Sequence, residues 1–398
     1  MAKALFLNLA LYGHINPTLP VVRELVQRGD EIVYYSTDPF APEISQTGAR
    51  FRPYGAAVRS RLSLHGRPTD ELPWLLMRTA ATVLETELDG FRAERPDYII
   101  SDSVTPWGQW TGAILGVPVV TSISTFAFNR RVLRYAAAHG VRPASARAAF
   151  SKIRHVSKAF LLGQRLRRKY GVRGPGAIGS VMGRSGLNIV YTSRYFQPRA
   201  ETFDERFHFI GPQTSRKEAG GFPWDDVGRH VIVYVSLGTL FNANLDFYRT
   251  CFAAFEKEDV QVIVSIGPNV AKDDLGVPPS NVIVKNHVPQ LEVLQRASVF
   301  VTHGGMNSVS ESLAYGVPVV VVPQMGEQAI VGRRVEELGA GLYVAKDEAS
   351  VDRLRGSVRQ LLTDDRFRRQ AAVIRESFEN AGGVAQGADA IVTFAHRA

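Results

Sequence analysis

The chain has a single cysteine, Cys251, among its 398 residues. A disulfide framework and a cysteine-based zinc site are thereby excluded, and a reducing compartment is expected. No apolar run approaches the ~20 residues that a membrane-spanning helix needs. Lys3 followed by Ala4 to Tyr12 loosely imitates a signal peptide, but Asn8 interrupts the run and no small-residue cleavage site follows. The segment reads instead as a buried first strand of a cytoplasmic protein. Also missing are the G-x-x-x-x-G-K-S/T loop of P-loop ATPases, the G-x-G-x-x-G turn of nicotinamide dehydrogenases and the G-x-S-x-G elbow of serine hydrolases. The nine histidines show no metal-ligand spacing.

One long stretch lacks acid altogether: between Asp102 and Glu201 there is neither Asp nor Glu. The same stretch holds sixteen Lys and Arg, more than the whole net charge of +9, so the remainder of the chain is seven charges negative. The basic character therefore belongs to one segment. Three partners are open to it: solvent alone, an anionic membrane surface or acidic acceptor, and nucleic acid, the last without any recognisable binding motif. Its densest cluster is Arg165, Arg167, Arg168 and Lys169. A membrane role requires apolar residues on the opposite helix face, and the neighbouring Phe160, Leu161, Leu162 and Leu166 fit core packing equally well.

What is present is globular: 45% hydrophobic and 21% charged residues, in a length that implies two or three domains. Ala4–Ala10 suits a strand buried on both faces. A helix follows, with Asn16 as N-cap, Pro17 at its first position, Leu19, Val22, Leu25 and Val26 at helical spacing and Gly29 at its end. Glu31–Ser36 is the next strand, which makes a βαβ start and an open parallel sheet. The same grammar returns at Tyr98–Ser101, Val231–Ser236 and Val299–Thr302. Gly-Val-Pro-Val-Val occurs twice, at 116–120 and 316–320, each time closing a strand–loop–helix unit. These repeats predict two doubly wound domains: 1–213, then a glycine- and proline-rich linker at 214–228, then 229–375. The last stretch, 376–398, reads as helical with a break at Gly382-Gly383.

In open α/β sheets ligands bind beyond the carboxyl ends of the strands. The polar residues there are His14; Asp102; Ser236, Gly238 and Thr239; His303, Gly304, Gly305, Asn307 and Ser308; and Gln324, Glu327 and Gln328. His303-Gly304-Gly305-Met306-Asn307-Ser308 reads as an anion site. Paired glycines admit a ligand close to the backbone, and a helix starting there turns its free N–H groups and positive dipole end to it. Glu311 shares that face and suits sugar hydroxyls. In isolation the segment reads equally as a glycine-rich turn with Asn307 as N-cap. Ser236-Leu237-Gly238-Thr239 offers a second turn, so a diphosphate fits, although a capped helix start fits that turn as well. His14 lies before a helix start, where the dipole disfavours its charged form and leaves a neutral acceptor of protons. Asp102, ending another strand of the same sheet, is the carboxylate that fixes its tautomer. Alone, His14 reads as a structural loop histidine and Asp102 as an N-cap.

Together these residues resemble the bacterial macrolide-type glycosyltransferases of the UDP-glycosyltransferase superfamily, glycosyltransferase family 1, including the Bacillus-type flavonoid and macrolide glucosyltransferases. The resemblance is carried by Tyr12-Gly13-His14-Ile15-Asn16-Pro17, by Tyr234–Thr239, and above all by His287-Val288-Pro289-Gln290 with Thr302–Ser308, Glu311 and Glu327-Gln328. It implies a GT-B fold, α/β with two Rossmann-like doubly wound parallel-sheet domains facing a central cleft. Residues 1–213 would bind the acceptor and 229–375 the nucleotide-sugar, with helix 376–398 crossing back onto the N-terminal domain. It implies His14 as general base with Asp102 as partner. His303, Asn307 and Ser308 would hold the diphosphate with Ser236, Gly238, Thr239 and Gly305. Glu311 would meet the ribose, Val288 the base through its backbone, and Glu327 and Gln328 the transferred sugar, with Gln290 a further residue of the donor site. Position 287 is His where plant members carry a stacking tryptophan, and Glu327 stands where many relatives carry Asp.

The expected function is an inverting transferase that needs no metal and no cofactor beyond its UDP-sugar donor. It would move a hexose, glucose by expectation, to a hydroxyl of a small lipophilic acceptor such as a flavonoid or macrolide. The alternatives are a transferase to a lipid or acidic acceptor at an anionic membrane, a sugar-nucleotide 2-epimerase, and a non-catalytic binder of nucleotide-sugars.

Overall fold

A computed structural model of the chain describes residues 2–62, 71–139, 146–176, 179, 182, 185–214, 222–227, 231–239 and 242–397. Two units emerge. One is Met1–Ala138, Arg142–Gln213 and Asn380–Ala398; the other is His139–Val141 and Thr214–Glu379. Most of the expected linker, including Lys217 to Gly221, lies outside the described residues.

The first unit is a seven-stranded sheet: β1 (Lys3–Leu7), β2 (Glu31–Ser36), β3 (Arg50–Pro53), β4 (Tyr98–Asp102), β5 (Val119–Ile123), β6 (Leu187–Val190) and β7 (Phe207–Phe209). Their order is β3-β2-β1-β4-β5-β6-β7, parallel throughout. The second unit has β8 (Ile232–Ser236), β9 (Gln261–Ser265), β10 (Val282–Lys285), β11 (Val299–Thr302), β12 (Val319–Val321) and β13 (Gly341–Tyr343), ordered β10-β9-β8-β11-β12-β13 and again all parallel. Both orders reverse beside the first strand of their unit, between β1 and β4 and between β8 and β11, which is where such sheets open a crevice for ligands.

The apolar runs form strands because both sheet faces are covered. On β1, Ala4 and Phe6 join one buried cluster while Leu5 and Leu7 join the cluster on the opposite face, as alternate side chains of a strand must. The strand stops at Leu7, short of the expected Ala10. Asn8 is fully buried and its side chain turns to other partners, so the run of hydrophobicity outlasts the ladder.

The two Gly-Val-Pro-Val-Val segments perform the same turn. Gly116 and Gly316 both have φ near +70°, the left-handed region that glycine enters without a Cβ clash. Val117 N–H donates to the Gly112 carbonyl at 3.1 Å and Val317 N–H to that of Ser312 at 3.0 Å. The final helix, Gly383–Arg397, belongs to the first unit and packs on the helix Leu19–Gln27, with Ala388 and Ile391 buried beside Val22 and Leu25. Arg28 pairs with Asp389 there and also donates to the Ala385 carbonyl at 3.3 Å. No helix among the described residues is long and apolar enough to cross a membrane.

Candidate active site

In the first unit the expected pair is made. His14 Nδ1 lies 2.7 Å from Asp102 Oδ2, across 88 residues of sequence. Asp102 is fully buried at the end of β4, and its Oδ1 accepts the Val104 N–H at 2.8 Å. Both carboxylate oxygens therefore act as acceptors, so Nδ1 carries the ring proton towards Asp102 and Nε2 is the basic nitrogen. The His14 side chain keeps 20% of its surface open to solvent.

The helical start around His14 differs from the expected one. Residues Tyr12–Ile15 are already α-helical, with Leu11 as N-cap, and the chain continues through a 3-10 turn, Asn16–Thr18, into Leu19–Gln27. Asn16 has helical φ and ψ of −52° and −45° and caps no N-terminus. His14 thus sits within the first turn rather than ahead of it.

Two residues that sequence reasoning passed over hold this corner. Asn8 donates from Nδ2 to the His14 carbonyl at 3.0 Å and to the Tyr34 hydroxyl at 2.6 Å, which lies 2.9 Å from Thr18 Oγ1. Its signal was legible: a buried amide in an apolar strand needs partners, and those partners fix the loop. Ser124, just past β5, has its Oγ 3.1 Å from His14 Nδ1. Reading polar residues at strand ends would have found it had it been extended to β5.

In the second unit His303 follows β11 directly. Burial pushes its imidazole down to about 4, with a hydrogen bond to the Ser236 backbone working the other way, so the ring is neutral at pH 7 although its edge stays partly exposed. The glycines around it have a steric cause. A Cβ on Gly238 would stand 2.6 Å from His303 Cε1, and one on Gly305 would stand 2.5 Å from its Nε2. The two glycine turns hold one imidazole between them, in addition to baring backbone.

The next helix is Met306–Ala314. Its N-cap is Gly305, not Asn307, and no side chain caps it, so its first turn offers N–H groups to an anion. Asn307 and Ser308 stand partly exposed in that turn. Ser236 is buried and its Oγ accepts the Gly238 N–H at 3.2 Å, while Thr239 is exposed. Glu311 is 4% exposed, and Gln290 Nε2 donates to its Oε2 at 2.5 Å. The Tyr234 hydroxyl in turn donates to Gln290 Oε1 at 3.1 Å, a third member that sequence reasoning did not single out. Val288 is buried and His287 exposed.

Glu327 is exposed in the first turn of Gly326–Glu337, but Gln328 is turned inward. Its Oε1 accepts the backbone N–H groups of Gln324 at 2.7 Å and Met325 at 3.1 Å, as the third helical residue of a capping box does. That oxygen is occupied by the chain itself, which leaves Nε2 for any other partner. Among the described residues no group of three or more His, Cys, Asp and Glu is arranged to hold a metal ion.

Two all-parallel units with matching strand orders, one ending in a carboxylate–imidazole pair and the other in a glycine-framed imidazole beside an uncapped helix start, make up a GT-B architecture. Comparisons with known proteins agree. A sequence family described as "Erythromycin biosynthesis protein CIII-like, C-terminal domain" matches residues 249–382. The NDP-glycosyltransferase YjiC of Bacillus subtilis is 33% identical over 98% of this chain and 96% of its own length. The demethyllactenocin mycarosyltransferase of Streptomyces fradiae is 32% identical over 98% of this chain and 86% of its own. Among solved structures, the calicheamicin glycosyltransferase CalG4 is 29% identical with a TM-score of 0.80, covering 100% of this chain and 99% of its own. The chain belongs to this family of nucleotide-sugar-dependent glycosyltransferases, family 1, and is a transferase enzyme.

Proposed function

We propose that the protein transfers a hexose, glucose in the first instance, from UDP-sugar to a hydroxyl of a small lipophilic natural product, with inversion and without a catalytic metal. His14 is the general base: Nε2 takes the acceptor proton as the oxygen attacks, and Asp102 steadies the imidazolium that forms. The observation that carries this reading is the 2.7 Å contact between His14 Nδ1 and the buried Asp102.

In the second unit the leaving diphosphate gains negative charge as the glycosidic bond breaks. The open first turn of Met306–Ala314, with Asn307 and Ser308, would meet that charge as fixed donors, helped by neutral His303 and by the turn from Ser236 through Gly238 to Thr239. Glu311 and Gln290 would take the ribose hydroxyls, the Val288 backbone the base, and Glu327 with the amide of Gln328 the sugar. Support for a natural-product acceptor comes from the names of relatives such as the demethyllactenocin mycarosyltransferase and the oleandomycin glycosyltransferase. The mycarosyltransferase also keeps a second donor in view, because its sugar is not glucose and exposed His287 leaves the base face of the site open.

The test is mass-spectrometric detection of glycosides from UDP-glucose, UDP-GlcNAc, UDP-galactose and TDP-glucose against mixed macrolide, flavonoid and phenol acceptors, with EDTA present and His14→Ala alongside. A glycoside formed by the wild type and lost in the variant is expected. Product that requires added divalent metal, or persists at full rate in His14→Ala, would overturn the mechanism.

A further inference from the structure

None of the residues given a role in the proposed transfer lies on the helix Ala146–Tyr170, and the outer face of that helix is not explained by the fold. Its inner face packs on the helix Leu72–Thr86 through Ala159 and Leu166, with Leu162 beside them. A surface helix normally presents a polar outer face. Here Phe150, Ile153, Phe160 and Leu161 are 71, 65, 60 and 59% exposed. At 3.6 residues per turn these four fall in one arc of about 100°. Arg154, Arg165 and Arg168 lie in or beside the same arc and are exposed too.

Three other cations of this helix are engaged. Lys169 Nζ lies 3.1 Å from Glu85, Arg167 donates to the Gly174 carbonyl at 3.2 Å, and Lys158 sits over the Trp74 ring. Among the described residues, no carboxylate pairs with Arg154, Arg165 or Arg168. The face is therefore four large apolar side chains interleaved with three guanidinium groups that no described carboxylate pairs with, in a segment, 103–200, that holds no acid.

That composition selects among occupants. A second copy of the chain would bring the same arginines together with no carboxylate of this segment to meet them. Nucleic acid would use the arginines but gain little from Phe150, Ile153 and Leu161. An anionic bilayer surface uses both sets at once: rings and aliphatic chains enter the acyl boundary while guanidinium groups stay at the level of the phosphates. We propose that this face docks the protein peripherally, with the helix parallel to the surface, on membranes that contain anionic lipid. The docking does not depend on which donor or acceptor the enzyme uses.

The test uses the full chain and co-sedimentation with vesicles of phosphatidylcholine alone and of phosphatidylcholine mixed with phosphatidylglycerol, at low and high salt. Two variants accompany it: Arg154→Gln/Arg165→Gln/Arg168→Gln, and Phe150→Ser/Ile153→Ser/Phe160→Ser/Leu161→Ser. The wild type is expected to bind only the mixed vesicles, and less at high salt. The arginine variant should lose about fivefold in partition per cation, about a hundredfold in all. The serine variant should lose at least about tenfold. Melting temperatures check that both variants fold, and Leu161→Ser alone replaces the fourfold change if that one melts early. No binding to mixed vesicles, equal binding to phosphatidylcholine alone, or full binding by either variant overturns the proposal. So does a lipid-free oligomer that the serine variant dissociates, which would make the face a contact between copies.

Discussion

Asp102 and His303 occupy the same place in the two units. Ile99 N–H donates to the Pro118 carbonyl at 3.0 Å, and Phe300 N–H to the Pro318 carbonyl at 3.1 Å. Asp102 and His303 each come three residues after those donors, at the carboxyl end of the strand beside the sheet's first strand, Asp102 closing β4 and His303 following β11. Beyond them the two units diverge. After Asp102 the Val104 N–H is taken by the carboxylate, and the helix opens on Pro106, which has no N–H to offer. After His303 the helix opens on Met306 behind an uncapped glycine. One scaffold end is filled with its own carboxylate, and the other begins a helix that no side chain caps. In the proposed transfer the first arrangement would set a base and the second would receive a leaving group.

The largest effect should come from the filled end. His14→Ala is expected to lower kcat by about two to four orders of magnitude while UDP binding to the other unit is unchanged, read by steady-state rates beside calorimetric titration. Asp102→Asn should cost on the order of a hundredfold, because an amide no longer demands the Nδ1–H tautomer. Loss of UDP affinity in either variant would break the division of labour between the two ends.

Much of this division is legible in the amino-acid sequence. The strand-end rule found both His14 and Asp102, and the twin Gly-Val-Pro-Val-Val segments exposed the matching units. Three things stayed hidden, each for a physical reason. The start of the His14 helix was misplaced because Asn16-Pro17 imitates a capped N-terminus, whereas the structure makes it the tightening of a helix begun at Tyr12. The inward turn of Gln328 depends on where a neighbouring helix starts. The packing of Gly238 and Gly305 on His303 joins segments 65 residues or more apart at one end, and no local pattern reports it.

The open end is next in size. Gly238→Ala and Gly305→Ala each place a methyl group against the His303 ring. Overpacking of that kind costs about 1–3 kcal/mol, and UDP affinity should fall with it, while the pH dependence set by His14 stays as in the wild type. Titration with UDP and a thermal melt measure both. An alanine variant with normal UDP affinity would show that the ring's position is immaterial to the site.

A pH experiment sharpens the same contrast. His303 titrates at about 4 in the folded chain and near 6.5 when released. The unfolded chain therefore binds the proton first, and the stability due to a neutral His303 is full above 6.5 and lost as the pH falls through 4. His208 in the first unit is also pushed down, by burial and by the Arg194 charge, and acts in the same direction. Melting curves between pH 7 and 4 should fall less steeply in His303→Gln than in the wild type, with His208→Gln as the control for the first unit.

The smallest expected effect tests where the two units are alike. Gly116 and Gly316 share a φ of +70°, and a Cβ added to Gly116 meets nothing within 4 Å, while one on Gly316 meets only Arg375 Nη1 at 3.8 Å. Alanine at either position therefore brings the backbone cost alone, about 1 kcal/mol for a left-handed non-glycine residue. Chemical denaturation should report nearly equal losses in the two variants, with rates and UDP binding untouched. Equal costs would mean that the junction is a shared scaffold part, indifferent to the chemistry at the strand end a helix away. A loss several times larger at one position would mean that its unit tolerates less strain at that turn, and the two halves would then differ in build as well as in the residues at their strand ends.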